Sequence, residues 1–500
     1  MPAPGNDGFV FFSRGMNVNG IVNKHWVHVI SHFLLDALLF WLALLLGLQL
    51  RFNFTAEWLN KFNDYWPGMT MGGLVFSCAA YIAGLYSGLG FKGGLFRRAF
   101  MLTLCFAAAF AVMLAIFYLN FSTRIGRGVM LFGTLLAYGF ILTHHVWLSH
   151  RLKHFRERVI YVVTCPFDEL ETSLFKTFEG HQLDLVGVVH PVNYQPKAGE
   201  RVLGTIEELG GIVDRLGIHR VLCTDRSLTD PTLYKHFCQL RYSGITVMPL
   251  ISLCEEVEQS VPLELVTPEW LLQASALPHM LYIKKIKRGF DIACSLVGLV
   301  FLGPFLVLGV LLVKLTSPGP ILFRQVRSGR FGRPFEMFKL RTMRTDAEKN
   351  GAQWSTQNDP RVTPVGRMLR KYRIDEIPQL INVLRGDMSF VGPRPERPQF
   401  IDELQKQVPY FRERLMIQPG ITGWAQVSFP YGASVDDAKR KLEYDLYYMK
   451  NMSLFLDVFI LLDTVRTILL GGATRPLVAN PGRQEVILEL GRLRAQEATE

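Results

Sequence analysis

The sequence predicts a membrane protein built from a four-helix transmembrane region, a small parallel α/β domain and a second, partly membrane-apposed α/β domain. Three observations predict it. Hydrophobic residues make up 49% of the 500, high for a water-borne chain. Four apolar runs, each near the ~20 residues a helix needs to cross a bilayer, fill the first 150 positions. Beyond them, short β-branched runs alternate with helical stretches, the pattern of a parallel sheet with crossover helices.

About 25 poorly patterned residues precede the first apolar run, too many for that run to be a cleaved signal peptide. The four expected spans are residues 29–50, 69–86, 99–119 and 129–148. Lys24, the Lys92–Arg97–Arg98 connector and the exit segment with Arg151, Lys153, Arg156 and Arg158 fall on one side, which the positive-inside rule makes cytoplasmic, while Arg124 and Arg127 dissent mildly. Gly88, Gly90 and Gly93 match G-x-G-x-x-G, but they follow a membrane helix where a dinucleotide fingerprint requires a strand, so they read as a connector turn. His144, His145 and His150 sit near the end of the fourth run without a carboxylate partner, and read as interfacial or satisfied histidines in preference to a metal site.

From Arg158, strands are expected at 159–163, 185–189, 220–223 and 245–248, with helices at 168–179, 206–216 and 231–242 between them. The first strand leads into Thr164-Cys165-Pro166-Phe167. Glycines that would bring backbone against a pyrophosphate are missing there, so a scaffolding, dimerising or regulatory role is expected in place of nucleotide binding. The seven cysteines lack C-x-x-C spacing and partly lie in apolar runs, which predicts reduced, packed thiols.

A linker at 267–283 leads to the basic Lys284, Lys285, Lys287 and Arg288, expected to pair with lipid phosphates as Lys314 does at the far end, then to an apolar run from 292 to 313 with Gly303-Pro304 near its middle. A proline removes a helical hydrogen bond and bends the axis, so this run either spans the bilayer or dips in and returns. The pattern leaves the two open; with the first four helices leaving the chain in the cytoplasm, a fifth span would carry everything beyond it across the membrane. Strands follow at 321–325 and 335–339 around a basic Gly329–Pro334 loop, and Lys339 and Arg341 close the second. Gln418 to Trp424 reads as a glycine-rich turn able to approach a phosphate or a base. The apolar run 454–470 carries Asp457, Asp463 and Arg466, which suits a helix lying along the bilayer.

The chemistry concentrates between Arg370 and Arg397, where Asp375 and Glu376 stand among arginines. Carboxylates can hold Mg²⁺ or attack phosphorus, and guanidinium forks bind phosphate oxygens. Net charge +11 without a repetitive basic arm points to membrane and phosphate and excludes nucleic acid as partner.

Taken together, Lys339-Leu-Arg-Thr-Met343, Asn358-Asp-Pro-Arg361, Arg370 with Asp375-Glu376-Ile-Pro-Gln-Leu, Gly386-Asp-Met-Ser, Val391-Gly-Pro-Arg-Pro395 and Pro419-Gly-Ile-Thr-Gly-Trp424 resemble the bacterial polyprenyl-phosphate hexose-1-phosphate transferases, monotopic phosphoglycosyl transferases that begin exopolysaccharide or O-antigen assembly. The resemblance implies a membrane protein with a transmembrane four-helix region (1–157), a Rossmann-like domain (158–266) and a monotopic α/β catalytic domain (284–472) with a re-entrant helix at 288–315, followed by a tail at 473–500. It implies Asp375 as nucleophile on the sugar-bearing phosphate of a UDP-hexose, Glu376 as metal partner or proton handler, Mg²⁺ on these two carboxylates, Lys339, Arg341, Arg370 and Arg394 at phosphates, and Asp387 in support. Polyprenyl phosphate would be the acceptor, UMP the leaving group, and the cytoplasmic face of the bacterial inner membrane the location. The bend carries Gly303-Pro304 where the family usually has Ser-Pro, and Gln418 stands where a basic residue is common. A catalytically silent scaffold or nucleotide-sugar sensor, and direct glycosyl transfer releasing UDP, are the competing readings.

Overall fold

The computed structural model describes residues 24–52, 56–86, 95–119, 125–154, 157–163, 183–190, 201–224, 227–228, 230–274, 285–347, 359–429 and 434–470. The 88–93 glycines, the Thr164–Phe167 turn, the 168–179 helix, Lys284, Asn358 and the 473–500 tail lie outside them.

Four helices open the chain: α1 (Lys24–Phe52), α2 (Ala56–Ile82), α3 (Leu95–Leu119) and α4 (Arg127–His154). α1 packs on α2 and α4, and α3 on the same two. Gly47 and Gly133 let α1 and α4 approach closely, since a Cβ on Gly47 would lie 2.9 Å from the Gly133 nitrogen and one on Gly133 2.6 Å from a Leu44 methyl. Segments 29–52 and 127–147 are long and apolar enough to cross a membrane, and 99–114 is a shorter apolar stretch. α2 differs from its expected bounds. It begins thirteen residues before Met69, with Glu57, Lys61, Asp64 and an internal Pro67 in its first half, and gives way to a turn at residues 83–86.

The next unit is one parallel sheet of five strands in the order β3-β2-β1-β4-β5: β1 (Glu157–Val162), β2 (Leu183–His190), β3 (Val202–Thr205), β4 (Arg220–Cys223) and β5 (Thr246–Pro249). Helices α5 (Leu209–Leu216), α6 (Pro231–Tyr242) and α7 (Leu250–Val257) belong to it. The central β1 is buried on both faces, Val159 and Tyr161 toward one apolar cluster and Ile160 and Val162 toward the other, as a doubly covered parallel strand must be. β3 was not among the expected strands, because Val-Leu-Gly-Thr is short and Gly204 sits at φ 154°. After α8 (Pro268–Ala274) the linker expected at 267–283 is therefore helical in its first part.

The last unit begins with α9 (Lys287–Thr316), a third helix long and apolar enough to cross a membrane, which continues as one element through Gly303 and Pro304. An antiparallel hairpin follows, β6 (Leu322–Ser328) with β7 (Pro334–Leu340). Then come α10 (Pro364–Lys371), a short 3₁₀ turn at Ile374–Glu376, α11 (Gln379–Arg385), β8 (Ser389–Val391), α12 (Pro398–Gln407), β9 (Gly420–Thr422), α13 (Trp424–Ser428), α14 (Val435–Asn451) and α15 (Leu454–Leu470). Thr363 caps α10 through the Gly366 amide, with Pro364 at its first turn.

Two expectations change here. Within Gln418–Trp424, expected as a turn, Gly420–Thr422 is a strand paired in parallel with β8. Its glycines serve backbone packing, since a Cβ on Gly392, Gly420 or Gly423 would collide with the opposing strand. The acids that interrupt α15 do not face water. Asp457 and Asp463 are buried, and Asp457 takes Lys287 Nζ at 2.6 Å and Tyr448 Oη at 2.6 Å. Among the described cysteines all are free thiols, as expected.

Candidate active site

The dyad is delivered by a backbone reversal. α10 ends at Lys371, and Arg373 then adopts a left-handed conformation (φ 57°) that throws the chain into the Ile374–Glu376 turn. A bulky side chain there costs on the order of 1–3 kcal/mol, which the surrounding contacts must offset. The reversal places Asp375 and Glu376, 5% and 6% exposed, against the end of β7.

The two carboxylates meet different surroundings. Glu376 Oε1 accepts from Lys339 Nζ at 3.1 Å and Arg394 Nη2 at 2.9 Å, and Oε2 from Arg373 Nη1 at 3.3 Å. Asp375 Oδ1 is buried and, among the described residues, has no hydrogen-bond partner. Burial raises the Asp375 carboxyl above its ordinary range and the Glu376 charge adds to this, against Lys339, Arg370 and Arg373. Burial acts upward on Glu376 too, but Arg394, Lys339 and Arg373 outweigh it and hold Glu376 well below the usual glutamate range. Burial in turn lowers Lys339, which Glu376 partly offsets. At neutral pH Glu376 is thus a neutralised anchor, and Asp375 is the carboxylate with an unused, desolvated oxygen.

The other expected site residues divide. Lys339 and Arg394 converge on the dyad. Arg370 comes from α10 and donates Nε to Thr342 Oγ1 at 2.8 Å. Arg341 instead turns to the exit of α9, donating Nη2 to the Ser317 carbonyl and hydroxyl at 2.8 Å each. Asp387 lies past the left-handed Gly386 and accepts from Asn382 Nδ2 at 3.3 Å. Gln418 donates to the Gly386 carbonyl at 2.6 Å, a structural tie.

Lys287 and Arg288 also differ from expectation. They were to face lipid phosphates, but Lys287 is 5% exposed in its pair with Asp457, and Arg288 caps the end of α11 through the Val383 and Leu384 carbonyls. Lys285 and Lys314 are the exposed cations flanking α9.

Three supporting residues were missed. Fully buried Asn382 bonds the Phe338 amide at 3.1 Å and the Glu336 carbonyl at 2.7 Å, pinning α11 to β7. Asp291 on α9 accepts from Ser389 Oγ and the Phe390 amide, both at 2.9 Å. Gln379, three residues beyond the dyad, is buried with its Nε2 lacking a partner among the described residues. Polar side chains inside otherwise apolar helical faces were the available signal. Beside Arg394 runs a small cleft lined by Ser328, Gly329, Pro393, Pro395, Arg414 and Pro419.

Mg²⁺ favours hard oxygen ligands and usually takes only one or two protein carboxylates, leaving the rest of its shell to water and substrate phosphate. The Asp375 carboxylate fits that demand, whereas Glu376 already faces three cations.

His144 and His145 do have a carboxylate partner, contrary to the reading of the sequence. Asp36, 108 residues away on α1, accepts from both rings. The His150 side chain lies outside the described residues.

Comparison with known proteins adds to this geometry. The bacterial sugar transferase family matches residues 282–471. An Aeromonas hydrophila UDP-N-acetylgalactosamine-undecaprenyl-phosphate N-acetylgalactosaminephosphotransferase is 46% identical over 201 residues, 40% of this chain and 47% of that protein. A Caulobacter vibrioides UDP-glucose:undecaprenyl-phosphate glucose-1-phosphate transferase is 42% identical over 185 residues, 37% of this chain and 69% of its own length. A Rhizobium leguminosarum exopolysaccharide production protein is 42% identical over 189 residues, 36% of this chain and 93% of the relative. The matched segment thus spans about half of the Aeromonas protein but nearly all of the Rhizobium one.

Proposed function

Because this chain belongs to the bacterial sugar transferase family, we propose that it moves a hexose-1-phosphate from a UDP-hexose to a polyprenyl phosphate, undecaprenyl phosphate in the first instance, and releases UMP. The observation that carries the reading is the division of labour in the dyad: Glu376 neutralised by Lys339, Arg394 and Arg373, and Asp375 Oδ1 buried without a partner. A nucleophile needs an unsolvated lone pair held near cations that keep an anionic diphosphate from repelling it.

In this reading Asp375 attacks the phosphorus that bears the sugar. A carboxylate–phosphorus bond forms, the bond to UMP breaks, and the electron pair leaves with UMP. A phosphate oxygen of the lipid then attacks the same phosphorus and the carboxylate departs, restoring Asp375. Lys339, Arg370 and Arg394 orient the phosphates. Asp375 would help hold a Mg²⁺, whose charge would offset that of the donor's diphosphate. Direct glycosyl transfer would release UDP instead.

The membrane arrangement we propose places α1 to α4 across the bilayer and returns α9 to the cytoplasmic face. The support for re-entry is that one domain touches α9 near both ends. Arg288 and Asp291 bond α11 and β8 near the start, while Gly309 and Val313 pack on Leu340 and Leu369 near the finish. A straight helix from 288 to 313 would be roughly 37 Å long, more than the ~30 Å hydrocarbon core. A spanning α9 could not keep both ends on one water-borne domain. The opposite face, with Val300, Phe301, Phe305 and Val307 more than half exposed, is left for lipid.

The test is product analysis. Proteoliposomes containing undecaprenyl phosphate, supplied with UDP-glucose, UDP-galactose and UDP-N-acetylgalactosamine in turn, should yield UMP and a polyprenyl diphosphate sugar with one of them. UDP as the nucleotide product, or no product with any UDP-sugar, would refute the assignment.

A further inference from the structure

The polar cluster inside the helical region has no part in that reaction. Asp36 on α1 is fully buried, and its carboxylate is met by His144 Nδ1 at 3.1 Å on Oδ1 and by His145 Nε2 at 2.9 Å and Tyr86 Oη at 2.9 Å on Oδ2. One ligand atom from each of Asp36, His144 and His145 lies within 4.8 Å of the others. The His32 ring, one turn before Asp36 on α1, stands 5.3 Å from the His144 ring. Residues from α1, α4 and the turn after α2 therefore converge on one point, toward the end of the bundle that carries the α/β domain.

We propose that Asp36, His144 and His145 bind a divalent first-row transition ion, Zn²⁺ before others, with Tyr86 and His32 completing its surroundings. Imidazole and carboxylate together are the donor set that suits Zn²⁺, and two histidines with one carboxylate are a sufficient protein contribution. The charge argument points the same way. A carboxylate removed from water is costly unless positive charge and hydrogen bonds compensate it. A divalent ion supplies that charge. The rearrangement needed is small, because a shift of tautomer turns each ring N–H that now faces the carboxylate into a lone pair, with no proton gained or lost by the ring. The ligand atoms must then draw in to metal distances of about 2.0–2.2 Å, which tightens α1 against α4.

This inference does not depend on the transferase assignment, and neither does its test. Full-length protein without a histidine tag, in nanodiscs, is stripped with chelator and re-equilibrated with Zn²⁺ in the presence of excess Mg²⁺. Metal analysis should find one Zn²⁺ per chain in the wild type and in His219→Gln, an exposed histidine of the α/β domain. His145→Gln should bind at least about tenfold more weakly, the loss that even an outer partner of a metal ligand produces. Since that variant could fail to fold, Co²⁺ is loaded on the wild type in parallel and should develop visible d–d absorption. A colourless Co²⁺ protein, or equal zinc in wild type and a monodisperse His145→Gln protein, would show a hydrogen-bonded cluster and no metal site.

Discussion

Asp375 and Glu376 are neighbours in sequence and opposites in environment, and the difference predicts unequal mutants. Asp375→Asn keeps size and removes the nucleophilic charge, so turnover should fall below detection, while thermal unfolding stays within a few degrees of wild type because burial already disfavours the charged form. Glu376→Gln removes the shared partner of Lys339, Arg373 and Arg394, so it should lose both activity and stability, the latter by about 1–2 kcal/mol, because Lys339 is left in the interior without its carboxylate while Arg373 and Arg394 still reach water. Paired melting curves and single-turnover assays check this; equal stability loss in both variants would reverse the roles. The sequence made the dyad and its cations legible because phosphate chemistry requires those residue types close together. It could not say which cation reaches which oxygen. Arg341 shows the limit: two residues from Lys339 on the same chain direction, it points instead to Ser317, since alternate positions of a strand decide nothing once the strand has ended.

At the scale of elements, α9 and α15 were read correctly as apolar but misread in their charges. Lys287 and Asp457, 170 residues apart, neutralise each other in the interior, and Tyr448 and Asp291 surround them. Hydropathy records the presence of a charge and not its partner, so pairs between distant helices stay invisible to it. The buried pair makes a directional prediction. Lys287→Met leaves Asp457 with Tyr448 but without its cation and should cost about 3–5 kcal/mol, whereas the double variant Lys287→Met/Asp457→Leu should recover most of that loss. Denaturation of the three variants in one detergent measures it; a double variant as unstable as the single one would mean that the pair positions α9 on α15 in a way apolar contact cannot replace. Strand β9 carries the same lesson. Gly420 and Gly423 look like a ligand loop in sequence, yet close packing against the backbone at Gly392 demands them equally.

Across the whole molecule, topology and domain coupling are the open consequences. Single cysteines at Lys285 and Lys314, both exposed, in a cysteine-free background should react with an impermeant maleimide from the cytoplasmic side only. Labelling of position 314 from outside intact cells would make α9 a spanning helix. The division into a helical region, an α/β sheet and a last α/β unit was legible from the change in hydrophobic period, but the way these parts join was not, because the joining contacts link residues 165 to 195 apart. Trp424, 1% exposed, donates its indole N–H to the Gln259 carbonyl at 2.9 Å, Lys450 pairs with Glu255 at 2.7 Å, Lys439 with Glu264, and the Val261 amide bonds the Glu443 carbonyl. The segment from α7 to α8 is therefore a cover for α13 and α14. A chain beginning near Tyr282 retains every dyad residue and should still carry out the transfer, but it uncovers Trp424 and strands Lys450 and Lys439 without partners. Its midpoint of unfolding should drop, and its tryptophan emission should shift to longer wavelength, while kcat changes less than stability. Adding back residues 250–281 should restore the melting temperature more than the complete five-stranded sheet adds beyond them. A truncated chain as stable as the full one would mean that the cover is dispensable, and that the α/β domain is tethered to the catalytic domain rather than built into it.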